Sequence, residues 1–167
     1  MKRLVPASIA LLLLTGCGLK PLYGGGGSGP IASMLGHVEV APIAGQSGWL
    51  VGNAVRDRLA ANTSSVPLYR LEVKLDDKIA GLGVRGDDTV TRERRTLRAR
   101  YQLIDLANGA VLLDATAGSD AGIDVVGSEY ATIAAENAAL ERLAVVIADQ
   151  IVARVALYAN RTGIATP

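Results

Sequence analysis

Two consecutive stretches, residues 67–82 and 90–105, alternate between apolar and polar side chains, and this constrains the fold more than any other feature. Leu71, Val73 and Leu75 alternate with Arg70, Glu72, Lys74 and Asp76. In the second stretch Leu97, Ala99, Tyr101 and Leu103 fall on one side. Successive side chains of a strand point to opposite faces, so a period of two predicts strands buried on one face only. Gly81, Gly83 and Arg85-Gly86-Asp87-Asp88 supply a turn region between them. Ala107-Asn108-Gly109 supplies an Asn-Gly hairpin turn to a further strand carrying Val111, Leu113, Ala115 and Ala117. Upstream, Val38, Val40 and Ile43 suggest a short first strand, with Pro42 at an edge or at the strand end.

A sheet with one apolar face needs a cover, and two amphipathic segments can supply it. Ser47 offers an N-cap to a helix over residues 48–61, in which Val51, Val55 and Leu59 recur every four residues. Asn62-Thr63-Ser64-Ser65 breaks that helix. Ser128 offers a cap to a longer one reaching about Asn160. There Leu140, Ala144, Ile147, Ile151, Val155 and Tyr158 are spaced 4, 3, 4, 4 and 3 apart, one continuous apolar stripe. The order strand, helix, three strands, helix predicts an α+β two-layer sandwich. Its four-stranded sheet is covered on one face by two helices. This domain occupies residues 36–160, and residues 161–167 form a tail. Aromatic residues are few and Phe is absent, so the core must be built from Leu, Ile, Val and Ala.

The N-terminus carries a different signal. Met1-Lys2-Arg3 precedes the apolar run Ile9-Ala10-Leu11-Leu12-Leu13-Leu14, the pattern of a bacterial export signal. A membrane-spanning helix needs about 20 apolar residues, more than this run provides. Leu14-Thr15-Gly16-Cys17 resembles the lipobox of bacterial lipoproteins, in which the cysteine is acylated and the signal is cut before it. A signal peptide over residues 1–16 and lipidation of Cys17 are therefore expected. Two or more acyl chains give stable membrane attachment. Cys17 is the sole cysteine, which leaves no thiol for a disulfide, a metal site or a nucleophile. Gly18, in place of Asp, favours the outer membrane by analogy with enterobacterial sorting. Residues 17–35 read as the acylated cysteine and a Gly-rich tether, with a flexible-chain span of about 21–25 Å. No second apolar run reads as long enough to cross a bilayer, so the body is expected to be soluble.

Charge and side-chain chemistry argue against catalysis. Without Lys2 and Arg3 the chain carries 15 basic and 16 acidic residues, giving no general reason to bind nucleic acid. His37, the sole histidine, has no partner motif. The paired carboxylates Asp76-Asp77 and Asp87-Asp88 fall where solvated turns are expected. Gly24 to Gly29 lacks the Lys-Ser/Thr of a phosphate loop, and Trp49 reads as a packing anchor. No catalytic residue, metal ligand or cofactor is expected. The exception to this blandness is Arg92-Glu93-Arg94-Arg95-Thr96-Leu97-Arg98-Ala99-Arg100. In a strand, Arg92, Arg94, Arg98 and Arg100 share one face over about 26 Å. Either they pair across strands with Glu72 and Asp76 as a solvated face, or they form a surface for a polyanion or a partner.

Cys17-Gly18-Leu19-Lys20-Pro21-Leu22-Tyr23-Gly24 resembles the mature N-terminus of the lipopolysaccharide-assembly lipoprotein family, LptE, where Cys-Gly-Phe-x-Pro-Leu-Tyr-Gly is common. Leu19 stands where Phe is usual. Tyr130-Ala131 through Ala135-Glu136, then Ala148-Asp149-Gln150-Ile151-Val152, resemble the C-terminal helix of alphaproteobacterial members. The resemblance implies an α+β domain that binds an LptD-type outer-membrane β-barrel, helps it assemble and assists lipopolysaccharide delivery without catalysis. It implies a lipid-anchored position at the periplasmic face of the outer membrane. The Arg92, Arg94, Arg98 and Arg100 face would then meet lipid A phosphates or an acidic barrel lining. An auxiliary lipoprotein of an envelope lipid transporter could share the lipobox and the sandwich, whereas a periplasmic hydrolase would need a catalytic set.

Overall fold

The computed structural model describes residues 30–59, 66–84 and 90–162. Its elements are α1 (Pro30–Gly36), β1 (Val38–Val40), α2 (Gly45–Leu59), β2 (Tyr69–Val84), β3 (Val90–Asp105), β4 (Val111–Asp124) and α3 (Glu129–Thr162). The described strands form one sheet in the order β1-β2-β3-β4. β1 runs parallel to the start of β2, with Val38 opposite Tyr69, and the other neighbours are antiparallel. The helices pack on one face, giving the expected α+β two-layer arrangement.

Length explains how so few helices suffice. α3 has 34 residues and β2 and β3 have 16 each, so both layers extend about 50 Å. Leu71, Leu97, Tyr101 and Leu103 of the sheet meet Leu140, Ile147 and Ile151 of α3, all of them buried. Each large apolar side chain so buried stabilises the fold by about 1.5–3 kcal/mol. Val51 and Val55 of α2 complete the core. By length and composition α3 could also cross a bilayer, contrary to the expectation that nothing after the signal could. Half of that apolar window is buried in the protein, which is what a core helix requires.

Several local expectations are corrected. The stretch expected to be tether ends in α1, a third and very short helix. Pro30 suits a first helical turn, where no backbone donor is needed, and Met34 and Leu35 are buried in the core. Seven residues are too few to show a helical period. α2 begins at Gly45, so Ser47 lies inside its first turn instead of capping it. Gly45 has φ +82°, a left-handed conformation that glycine adopts without steric cost. The turn brings Gly48 onto the Ile43 carbonyl, where a Cβ would stand 2.6 Å from the oxygen. This close backbone approach sets the helix start. Trp49 is 65% exposed and anchors nothing, because the buried stripe is Gly48, Val51, Gly52, Val55 and Leu59. The proposed helix stop at residues 62–65 and the turn residues 85–88 lie outside the described residues, whereas Gly81 and Gly83, expected in that turn, belong to β2, where Gly81 stands opposite Glu93.

Other expectations hold. Ser128 caps α3, its Oγ accepting from the Ala131 N–H at 3.4 Å. β3 and β4 join through Asn108-Gly109, with Gly109 at φ +72°. The loop is longer than a two-residue turn: Asp105 and Asn108 side chains accept from the Ala107 and Ala110 N–H groups.

Candidate functional site

The face of the sheet away from the helices carries the arginine row. Strand alternation turns Arg92, Arg94, Arg98 and Arg100 outward, all exposed, while Leu97, Ala99, Tyr101 and Leu103 turn inward. Their partners lie on β4, not at the expected Glu72 and Asp76 of β2. Arg98 Nη2 alone donates to both Asp120 carboxylate oxygens, at 3.1 and 3.0 Å, while Nη1 donates to the Ser119 carbonyl. Arg100 forks onto Asp114 at 3.1 and 2.8 Å, and Arg92 reaches Asp124 at 3.0 Å. Asp76 is opposite Arg98 in register, yet it bonds Lys78.

The reason is vacant space. Arg98 stands opposite Gly118, and the arginine lies where a side chain at 118 would be. A Cβ there would meet Arg98 Cδ at 2.6 Å. The guanidinium therefore crosses β4 and reaches Asp120. Beside it opens a shallow hollow of about 640 Å³, lined among others by Lys74, Arg98, Arg100, Thr116 and Gly118. Three cations, Lys74, Arg98 and Arg100, and one carboxylate, Asp76, border it.

Asp120 and Asp114 hold the two arginines in place. Hydrogen bonds from Arg100 and then Gln102 lower the Asp114 pKa to about 2. Bonds from Thr96 and then Arg98 lower that of Asp120. Arg94 makes no ion pair among the described residues and only adds its charge to the field at Asp120. An incoming phosphate or carboxylate could take guanidinium bonds now made to aspartate. Such forked, charge-assisted bonding is specific to arginine.

Arg95, on the covered face, was not singled out by the row. It forks onto Asp77 at 2.9 and 2.7 Å and donates to the Glu136 carbonyl of α3 at 2.9 Å. Asp77 and Asp76 thus lie within β2, not in a solvated turn, and Asp77 is nearly enclosed. The available signal was the doublet Arg94-Arg95, which places one of two adjacent arginines on the face of Leu97. Nearby, Glu93 meets Glu136; burial first, then Glu136, raises its pKa. Glu93 Oε2 is buried without a hydrogen-bond partner. His37 rests its ring Nδ1 at 2.8 Å from the Ser33 carbonyl. Among the described residues no group of three or more His, Cys, Asp or Glu side chains could hold a metal ion. Cys17 lies outside the described residues.

The family model described as "LptE: Lipopolysaccharide-assembly" matches residues 35–155. The chain belongs to the LptE family. Its role is accordingly in lipopolysaccharide assembly, as a lipoprotein of the LptE type. The match runs from α1 through most of α3 and includes the whole arginine row. Solved structures share the LptE sandwich. A lipoprotein from Caulobacter crescentus CB15 is similar at TM-score 0.63 and 23% identity, over 77% of this chain and 94% of its own. A minor lipoprotein from Acinetobacter baumannii gives 0.59 and 16%, over 75% and 92%. An uncharacterized lipoprotein B from Nitrosomonas europaea gives 0.56 and 15%, over 73% and 84%. At these identities the likeness is one of fold. No curated protein matches in sequence.

Proposed function

We propose that this LptE-family chain is a non-catalytic assembly lipoprotein that binds an LptD-type β-barrel and assists lipopolysaccharide delivery to the cell surface. The observation that carries this reading is the family match across the sandwich. Leu14-Thr15-Gly16-Cys17 supports cleavage after residue 16, lipidation of Cys17 and attachment at the periplasmic face of the outer membrane. The Arg92, Arg94, Arg98 and Arg100 row is the proposed surface for lipid A phosphates or for acidic residues of the barrel. Asp114 and Asp120 make that binding an exchange of partners, so it should weaken as salt rises.

The test is co-purification of the full-length protein from detergent-solubilised membranes. Stoichiometric recovery of a large outer-membrane barrel is expected. Recovery of an inner-membrane transporter, or of no stable partner, would overturn the reading. Mass spectrometry of the mature N-terminal peptide should show a di- or triacylated Cys17, and an unmodified thiol would remove the membrane address. Arg98→Glu with Arg100→Glu should weaken binding of purified lipopolysaccharide or of the barrel at low salt. Unchanged affinity for both would leave the row a solvated face.

A further inference from the structure

The uncovered face of the sheet changes character along β3. It is basic from Arg92 to Arg100, and beyond Gln102 it turns apolar. The parity that turns the arginines outward also turns Ile104 outward, and Ile104 stands opposite Val111 of β4. Just past the strand ends, the Leu106 N–H donates to the Leu68 carbonyl at 3.0 Å. Val66, Leu68, Leu106 and Val111 thus gather at one end of the sheet, exposed by 77%, 40%, 37% and 52%. Apolar residues exposed singly are ordinary, whereas several on one rim mark an interaction surface.

The sequence keeps charge out of this rim. Residues 66–69 and 102–111 contain one charged side chain, Asp105. Its carboxylate accepts from the Ala107 N–H at 2.9 Å, within its own turn. A partner recognised by ion pairs finds little to hold here, whereas an apolar medium does.

The path of the chain says what lies nearest. The His37 carbonyl, one residue past α1, accepts from the Leu68 and Tyr69 N–H groups at 2.9 and 3.2 Å. The chain therefore enters the sheet at the same end as the rim. The seven residues of α1 cover about 10 Å, and Gly18 to Gly29, 12 residues, separate Pro30 from Cys17. A Gly-rich chain of that length has an r.m.s. span of about 17–21 Å. The other end of the molecule also exposes Val126 and Tyr130. Asp124 and Glu129 stand among them, however, and the 34 residues of α3 put that end about 50 Å away.

We infer that the rim of Val66, Leu68, Leu106 and Val111 rests in the headgroup–acyl boundary of the phospholipid bilayer that holds Cys17. The inference rests on the lipidation of Cys17 proposed above and adds a second contact, made by the folded domain itself. Apolar area placed in that boundary adds to the attachment that acyl chains provide. A tether limits distance alone, whereas tether and rim together fix orientation. The strands then stand off the bilayer, and the arginine row runs from about 13 to about 40 Å along β3 from Ile104.

The test uses the full chain, purified from membranes, with Val and Leu methyl groups labelled for NMR. It is placed in nanodiscs of phosphatidylethanolamine and phosphatidylglycerol, and a lipid with a nitroxide near its headgroup is added. The Val66, Leu68, Leu106 and Val111 methyl signals should broaden at least threefold more than those of Val126 and Val145, which are comparably exposed at 51% and 46%. Val66→Asp with Val111→Asp should abolish that excess, while the variant still floats with vesicles of the same lipids through its acyl chains. The comparison within the parent needs no variant and stays decisive if the double variant misfolds. Equal broadening of all six residues in a parent that floats would overturn the inference and leave the anchor standing. A parent that does not float would overturn the anchor and the inference with it. Rim methyls shielded from a soluble paramagnetic chelate yet untouched by the nitroxide lipid would make a protein the occupant, and would also overturn it.

Discussion

Arg95 and Arg98 stand three residues apart on β3, and each pairs with an aspartate of a neighbouring strand, Arg95 through two nitrogens and Arg98 through one. Arg95 and Asp77 lie under the helices with side chains 11% and 19% exposed, while Arg98 and Asp120 lie on the uncovered face at 47% and 44%. Both are arginine–aspartate pairs, and their surroundings are opposite. Removed from water, the first pair cannot lose one member without leaving a charge stranded. The second is solvated and screened, and water can replace either partner. An ion pair on this sheet is therefore structural on one face and exchangeable with solvent on the other.

The largest effect should come from breaking the covered pair. Arg95→Ala strands Asp77 and removes the donor to the Glu136 carbonyl, so it should destabilise by roughly 2–4 kcal/mol, read from the urea midpoint. A loss no greater than that of Arg98→Ala would end the contrast between the faces.

Glu93 sharpens the same side of it. Arg95 is bound to Asp77 and to the Glu136 carbonyl, while burial and then the neighbouring Glu136 raise the Glu93 pKa. Because the folded state holds that proton more tightly than the unfolded chain, this stabilisation is complete below the ordinary carboxylate pKa. It is lost as pH rises through the raised value. Glu93→Gln should therefore melt higher than the parent at pH 7 and converge with it near pH 4, in melting curves taken across that range.

On the uncovered face the effects should be smaller and coupled. Gly118→Ala should displace Arg98 from Asp120, given the 2.6 Å approach, yet do little in an Arg98→Ala background. A double-mutant cycle reads this non-additivity, and additive losses would contradict the packing of Arg98 over Gly118. Arg98→Gln alone should shift melting by no more than about 3 °C.

The smallest effect concerns acid. The Asp114 pKa is lowered to about 2 from 3.8. Its contribution is present above the ordinary value and disappears as pH falls through about 2. Arg100→Gln should move the Asp114 titration back toward 3.8 and flatten stability between pH 4 and 2, observable by carboxyl NMR. An unmoved titration would assign the shift to Gln102.

Much of this architecture is legible in the sequence because side-chain direction is a local property of the backbone. A period of two at residues 71–75 and 97–103 fixed which residues face the helices, and the spacings from Leu140 to Tyr158 fixed the face of α3 that covers them. The same alternation places Arg92, Arg94, Arg98 and Arg100 together, and the N-terminal motif points to the family that the match over residues 35–155 establishes. What only the tertiary structure decided is which residue meets which. Arg98 pairs toward β4 because strand order and register put a glycine opposite it. Arg95 is enclosed because α3 passes over it and offers the Glu136 carbonyl. Gly45 starts α2 because Gly48 must approach Ile43. Each of these depends on space left or filled by a distant segment, and a local period carries no record of that space.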